Sequence, residues 1–151
     1  MFIKRLNIED VESFLHLRLN LFYELQEIER NDDVEKLKNS TMEYYLKNID
    51  KTLITYGVIE KDKIVSIGSL CLFERIPYIE NLSGKEGYIL NIYTLPEYRK
   101  KGYGKEITKK LIEYSKDIGI KRLWLNTSNE GKKLYSKLGF KNKENKMEIF
   151  L

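Results

Sequence analysis

The stretch Gly87–Gly104, GYILNIYTLPEYRKKGYG, constrains this chain more than any other, because it joins a strand to a helix through a basic, glycine-punctuated turn. Tyr88, Ile89, Leu90, Ile92, Tyr93 and Thr94 are β-branched, aromatic or apolar, and Pro96 withholds a backbone donor from a sheet, so the strand ends near Leu95. Arg99, Lys100 and Lys101 then supply cations, and Gly102 and Gly104 lack a Cβ, directly before the helical spacing of Ile107, Leu111, Tyr114 and Ile118. The unbonded N–H groups and the positive dipole end of that helix point back into the turn. Arg99–Lys105 is therefore a cradle suited to phosphate or pyrophosphate.

Two familiar glycine codes do not fit these letters. The dinucleotide pattern G-x-G-x-x-G starts at Gly102 and Gly104 but meets Ile107 where a third Gly is needed, and the P-loop pattern meets Arg99 and Glu106 at its first Gly and its hydroxyl. R-x-x-G-x-G after a strand ending in Pro does fit. This turn resembles the acetyl-CoA pyrophosphate site of the GNAT superfamily of N-acetyltransferases. Asn126–Phe140, NTSNEGKKLYSKLGF, is similar to that family's second cofactor motif with its Leu-Tyr-x-x-x-Gly-Phe ending. Two motifs in the right order, some thirty residues apart, are far more specific than either alone.

The resemblance implies a single α/β domain over residues 1–151, with a mixed, mostly antiparallel sheet, a central parallel strand pair and flanking helices. It implies acetyl-CoA as cofactor, with CoA as product. Arg99, Lys100, Lys101, Gly102, Tyr103, Gly104 and Lys105 would surround the pyrophosphate, and Ile92, Tyr93 and Thr94 would line the pantetheine arm. Asn129 and Tyr135 of the second motif complete the expected contacts. In that family the cradle strand carries a bulge whose freed N–H faces the thioester oxygen, expected here at Ile92–Tyr93. Tyr135 occupies the position of the family's general acid.

The order of elements agrees. Phe2–Leu6 alternates as a first strand, and Asn7 with Asp10 caps a helix whose stripe runs through Val11, Leu15, Arg18, Leu19, Phe22, Leu25 and Ile28. A second helix is expected over Val34–Ile49. Thr52–Glu60 and Ile64–Phe73 flank Lys61-Asp62-Lys63 as a hairpin, and Glu74–Glu86 reads as a flap-like loop. After the cradle come a helix over Tyr103–Ile118 stopped by Gly119, a strand over Arg122–Asn126, and a helix over Glu130–Leu138 stopped by Gly139. Strand, helix and strand form a crossover that makes its two strands parallel. Two short terminal strands are expected around Phe140 and over Met147–Phe150.

With 42% hydrophobic and 33% charged residues, the composition is that of a globular protein. The longest nearly apolar run, Ile64–Phe73, is about half a membrane span, and the charged N-terminus has no apolar signal core; a cytoplasmic protein without membrane contact is expected. Cys71 as sole cysteine excludes an internal disulfide, and with His16 as sole histidine no metal site is argued. The net charge of +4 is uneven, with 12 Lys/Arg against 16 Asp/Glu over residues 1–96 and 15 against 6 over residues 97–146. The basic half lacks any nucleic-acid motif, so a polyanionic cofactor is the economical reading.

Acyl transfer to an amine needs a held thioester, a neutral amine, an oxyanion donor and a proton for the thiolate. Asn91 and Thr94 stand where relatives carry a carboxylate on the cradle strand, and neither accepts a proton at neutral pH. Glu24, Glu27 and Glu74 are candidate bases, with solvent as the alternative. The acidic segment from Glu24 to Glu35 would attract a cationic acceptor or is a solvated connection. Cys71 reads as a small buried hydrophobe, or as the nucleophile of a ping-pong route. The leading expectation is direct acetyl transfer from acetyl-CoA to a small-molecule or peptide amine, by a monomer or homodimer. A catalytically silent acyl-CoA sensor is the alternative.

Overall fold

The computed structural model describes residues 1–143 and 145–151. Its elements, in chain order, are β1 (Phe2–Arg5), α1 (Val11–Glu24), α2 (Glu35–Asn48), β2 (Leu53–Glu60), β3 (Lys63–Glu74), β4 (Lys85–Thr94), α3 (Tyr103–Asp117), β5 (Arg122–Leu125) and α4 (Asn129–Lys137). The five strands form one sheet in sequence order, β1 to β5. All neighbours are antiparallel except β4 and β5, which the α3 crossover makes parallel.

Local chemistry explains the boundaries. Asn7 and Asp10 form a reciprocal capping box before α1, the Asn7 side chain accepting from Glu9 N and the Asp10 carboxylate from Asn7 N. α1 stops at Glu24 rather than running to Ile28, because Gln26 turns left-handed at φ 58°; Glu27 therefore sits in an exposed turn and not on the helix. Lys61 and Asp62, at φ 48° and 60°, make the two-residue turn that pairs Glu60 with Lys63 and sets the twist of the β2–β3 hairpin.

Both sheet faces are covered. α1 and α2 bury Phe14, Leu17, Tyr45 and Ile49 against Leu53, Ile67 and Tyr93 on one face. α3 buries Tyr103, Ile107 and Leu111 against Ile54, Val58, Leu70 and Ile89 on the other. Tyr45 also donates its hydroxyl to the Asn7 carbonyl at 2.6 Å, tying α2 to the start of α1. Trp124 is only half-buried, stacked on Tyr88 with ring centroids 4.3 Å apart. His16 is exposed on the polar side of α1 beside Asn20.

The two expected terminal strands are absent: among the described residues no strand follows β5. Phe140 instead folds back on Tyr135 through the left-handed Gly139, while Met147, Ile149 and Phe150 are 98%, 80% and 91% exposed. Residues 141–146, KNKENK, offer no apolar face that would seat the following segment on the sheet, and strand propensity alone does not create pairing.

The residues between β3 and β4 are anchored by one buried carboxylate. Glu86, 1% exposed, accepts from Arg122 Nη1 at 2.8 Å and Tyr78 Oη at 2.7 Å, with Arg75 Nη1 at 3.7 Å. It thereby joins β4, β5 and the loop. Glu86→Ala is expected to cost about 3 kcal/mol, since removing one partner of a buried pair leaves the others unsatisfied; a urea melt with an unshifted midpoint would contradict this anchoring role.

Candidate active site

The site is organised by what happens to β4 after Ile89. Its pairing with β5 covers only Glu86–Ile89 against Arg122–Leu125, so among the described residues no strand pairs with Leu90–Thr94 on that edge. The parallel pair opens there into a notch, and the free edge leads straight into the cradle. An amide-bearing chain laid in the notch would meet unpaired peptide groups, as in strand addition.

On its other edge β4 carries a bulge. Ser69 pairs with Leu90 and Ile67 with Tyr93, so Asn91 and Ile92 together oppose Gly68. Asn91 takes φ 59°, a left-handed conformation that Asn tolerates better than most residues. The bulge thus lies one residue before the expected Ile92–Tyr93. The sequence signal was the Asn itself, a poor strand former inside an apolar run. Because one extra residue shifts the side-chain alternation, Leu90 and Asn91 both face α1 and α2, while Ile89 and Ile92 pack toward α3.

Gly68 is the counterpart that sequence reasoning missed. A Cβ there would stand 2.4 Å from Ile92 Cδ1 and 2.5 Å from Ile107 Cγ2, so only glycine lets the bulge and α3 approach. Gly131 does the same for the second motif, where a Cβ would lie 2.3 Å from Thr127 Oγ1 and 3.1 Å from the Tyr135 ring.

The turn over residues 99–102 leads directly into α3 at Tyr103. Lys100 and Gly102 both take positive φ, 63° and 82°, and turn the chain into α3, whose first turn has no side-chain cap. Among the described residues no internal acceptor meets the N–H groups of Tyr103, Gly104 and Lys105, which remain open to an anion. The cations are not equally free. Arg99 donates its Nε to the Thr94 carbonyl at 2.9 Å and its Nη2 to Glu24 at 2.5 Å, and this carboxylate raises its pKa further. Lys101 reaches Glu60 at 3.2 Å. Lys100 and Lys105 are exposed, with no carboxylate partner among the described residues.

The candidate bases fare differently. Glu24 is held by Arg99 beside a cleft of about 790 Å³ that runs along Asn20, Tyr23, Glu29, Tyr93 and Leu95. Glu27 and Glu74 are exposed and line neither that cleft nor the smaller pocket on the same face. Cys71 is half-buried rather than buried, with Tyr44 Oη 3.5 Å from its sulfur. Asn129 opens α4 behind Ser128, whose hydroxyl accepts from Gly131 N at 3.3 Å. Tyr135 is half-buried edge-on to Phe140, 6.0 Å between centroids, and its hydroxyl has no hydrogen-bond partner among the described residues. Burial raises its pKa, so it stays a phenol.

A sequence profile of the Acetyltransferase (GNAT) family matches residues 16–140. The chain belongs to this family. It is 42% identical over 57 residues to the [Ribosomal protein bS18]-alanine N-acetyltransferase of Haemophilus influenzae, across 36% of this chain and 39% of that protein. It is 31% identical over 96 residues to the glucosamine 6-phosphate N-acetyltransferase of Arabidopsis thaliana, across 62% of each. The alignments thus span about two-fifths and three-fifths of those relatives. The fold of the GNAT chain superposes on a predicted acetyltransferase with acetyl-CoA from Clostridium acetobutylicum with a TM-score of 0.88 at 22% identity, covering 99% of this chain and 95% of that one. The Arabidopsis enzyme superposes with a TM-score of 0.75 at 23% identity, covering 99% and 97%. No described helix is long and apolar enough to cross a membrane.

Because Gly68 faces a buried methyl on α3 as well as the bulge, Gly68→Ala is expected to destabilise by about 1–3 kcal/mol through overpacking. Thermal unfolding measures this, and an unchanged midpoint would mean that the bulge has slack. Glu24→Gln should change stability by less than about 1 kcal/mol, because the Arg99 pair is 39% and 46% exposed.

Proposed function

We propose that this protein is an acetyl-CoA-dependent N-acetyltransferase that passes the acetyl group directly to a primary amine of a small molecule or peptide in a ternary complex. The observation that carries this reading is the sequence of features along one strand: the open β4 edge, the Asn91–Ile92 bulge and the cradle at the N-terminus of α3. Family membership and the fold shared with a protein that holds acetyl-CoA support it.

In this reading the pyrophosphate rests on the N–H groups of Tyr103, Gly104 and Lys105 and on Arg99, Lys100 and Lys101. The pantetheine arm lies along Ile92–Thr94, with Asn129 and Tyr135 closing the far side of the notch. Bound acetyl-CoA supplies the activated acetyl carbonyl. The amine nitrogen attacks that carbon, and a backbone N–H of the bulge holds the oxygen as it gains charge. The C–S bond then breaks, the attacking nitrogen gives up its extra proton to solvent to leave the neutral amide, and the sulfur takes the proton of the Tyr135 hydroxyl, which solvent replaces.

Deprotonation of the amine falls to solvent. Around the bulge β4 offers Asn91 and Thr94, whose hydroxyl is bonded to Ser66 at 2.7 Å; its one carboxylate, Glu86, is held by Arg122 and Tyr78, and Glu24 is tied to Arg99. A lysine-like ammonium has a pKa near ~10.4 and must shed its proton before attack. The value of kcat/KM should therefore rise with pH up to the pKa of the acceptor amine. A plateau well below it would indicate an enzyme base.

Two further outcomes are expected. Acetyl-CoA should raise the melting temperature, and Gly104→Val should lose at least about tenfold in affinity by calorimetry, since its added methyls narrow a gap where a Cβ already lies 3.4 Å from Ile92 Cγ2. Undiminished binding would remove the cradle from the site. Tyr135→Phe should lower kcat by at least about 100-fold with little change in acetyl-CoA affinity, as loss of a general acid requires. Normal turnover in that variant would leave Tyr135 a packing residue. A thermal shift with no turnover of any amine would favour a cofactor sensor.

A further inference from the structure

The face of the bulge turned away from the notch opens into a second pocket of about 300 Å³ between α1, α2, β3 and β4. Phe14, Leu53 and Leu90 form its apolar wall. Its polar groups are of one kind. Arg18 places its guanidinium over the Phe22 ring at 4.6 Å and donates Nη1 to Asn91 Oδ1 at 3.3 Å, and among the described residues no carboxylate lies within ion-pair distance of it. Asn91 is 6% exposed, and its Nδ2 is buried without an acceptor. Tyr44, whose pKa burial and the neighbouring Cys71 push up to about 12, keeps its hydroxyl proton, and Ser40 and Thr41 on α2 add hydroxyls.

A guanidinium in such surroundings is anomalous. Burial lowers its pKa, and among the groups whose charges oppose this Glu27 is the one carboxylate. A buried amide donor beside it is a second unmet demand, costly to leave unsatisfied away from water. Both are met by one planar anion that accepts from the guanidinium and from Asn91 Nδ2 together. The site has a single cation, neutral donors and apolar walls, which suits a monoanionic carboxylate; a phosphate dianion would bury an uncompensated charge.

We propose that this pocket binds a carboxylate of the acceptor, so that the acetylated molecule is an amino carboxylate with a compact apolar body. The assignment rests on the acetyltransferase reading for the fate of the amine. Asn91 is both the residue that meets the carboxylate and part of the bulge expected at the thioester, so few bonds separate amine from carboxylate, as in an α-amino acid.

The test compares amino acids with their decarboxylated counterparts: leucine with isoamylamine, phenylalanine with phenethylamine. CoA release is followed with acetyl-CoA saturating. The expected result is a kcat/KM at least about tenfold higher for the amino acid, falling toward equality in Arg18→Gln and partly restored in Arg18→Lys. Calorimetry with acetyl-CoA, unchanged in both variants, verifies that they fold and that the cofactor reading stands. Should no amine be acetylated, CoA-saturated protein is titrated with the same pairs: heat from leucine but not isoamylamine, lost in Arg18→Gln, supports the carboxylate site although the transferase reading has failed. Equal behaviour within each pair, or preference for 2-aminoethylphosphonate over β-alanine, overturns it.

Discussion

Everything at this site depends on one inserted residue in β4. In a regular strand, parity would send Asn91 and Ile92 to the faces opposite those they occupy. The bulge at Asn91 resets the count, so that Ile89 and Ile92 serve the core under α3 while Leu90, Asn91 and Tyr93 face α1 and α2. The same distortion holds a left-handed residue in mid-sheet, at a cost of about 1–2 kcal/mol. The price is met by Gly68, whose missing Cβ admits Ile92 and Ile107 at distances that no other residue allows. Bulge, glycine and helix are one packing solution, and they lie beside the edge of β4 that β5 leaves unpaired beyond Ile89.

The ion pairs around the cradle orient the chain more than they stabilise it. Arg99–Glu24 and Lys101–Glu60 are solvent-accessible pairs, each worth about 0–1 kcal/mol. Their geometry matters more. The first links the cradle to the end of α1, the second to the end of β2, so the turn is braced from two directions while the N–H groups of α3 stay open. Such weak pairs can yield to a polyanion, because the charge they satisfy is the charge the ligand brings.

Much of this was legible from residue types. Cradle, crossover and helix stops could be read because Gly102, Gly119 and Gly139 take the positive φ that only their lack of a Cβ makes cheap. Asn7 and Asp10 likewise write their own capping box. The bulge was located one residue late, since the alternation of Tyr88–Thr94 does not reveal where it slips. Gly68 shows no sequence signal because the need for a missing Cβ there is set by a distant partner, a methyl of α3, whereas the crowding at Gly131 comes from Thr127 and Tyr135, each four residues away. The terminal strands were read from β-forming letters at Met147–Phe150, but pairing is a property of two segments and none of the described strands adjoins them. Arg18 stands inside an apolar stripe; what gives it meaning is that among the described residues no carboxylate lies within ion-pair distance of it.

The charge asymmetry of the chain takes a different meaning once these positions are known. An acidic stretch from Glu24 to Glu35 suggests a docking strip for a cationic acceptor. Yet Glu24 is spent on Arg99, Glu27 lies outside both cavities, and Glu29 borders the cleft that follows Tyr93, Leu95 and Pro96 toward the cradle. Of this stretch only Glu24 and Glu29 border the end of β4, and only Glu24 holds a cation of the turn. The pocket proposed for the acceptor, by contrast, contains one cation, Arg18, and the buried amide donor of Asn91. Net charge over half a sequence averages these two environments together. Burial separates them, since a charge in a low-dielectric pocket outweighs several at the surface, and in the pocket proposed for the acceptor carboxylate that charge is Arg18.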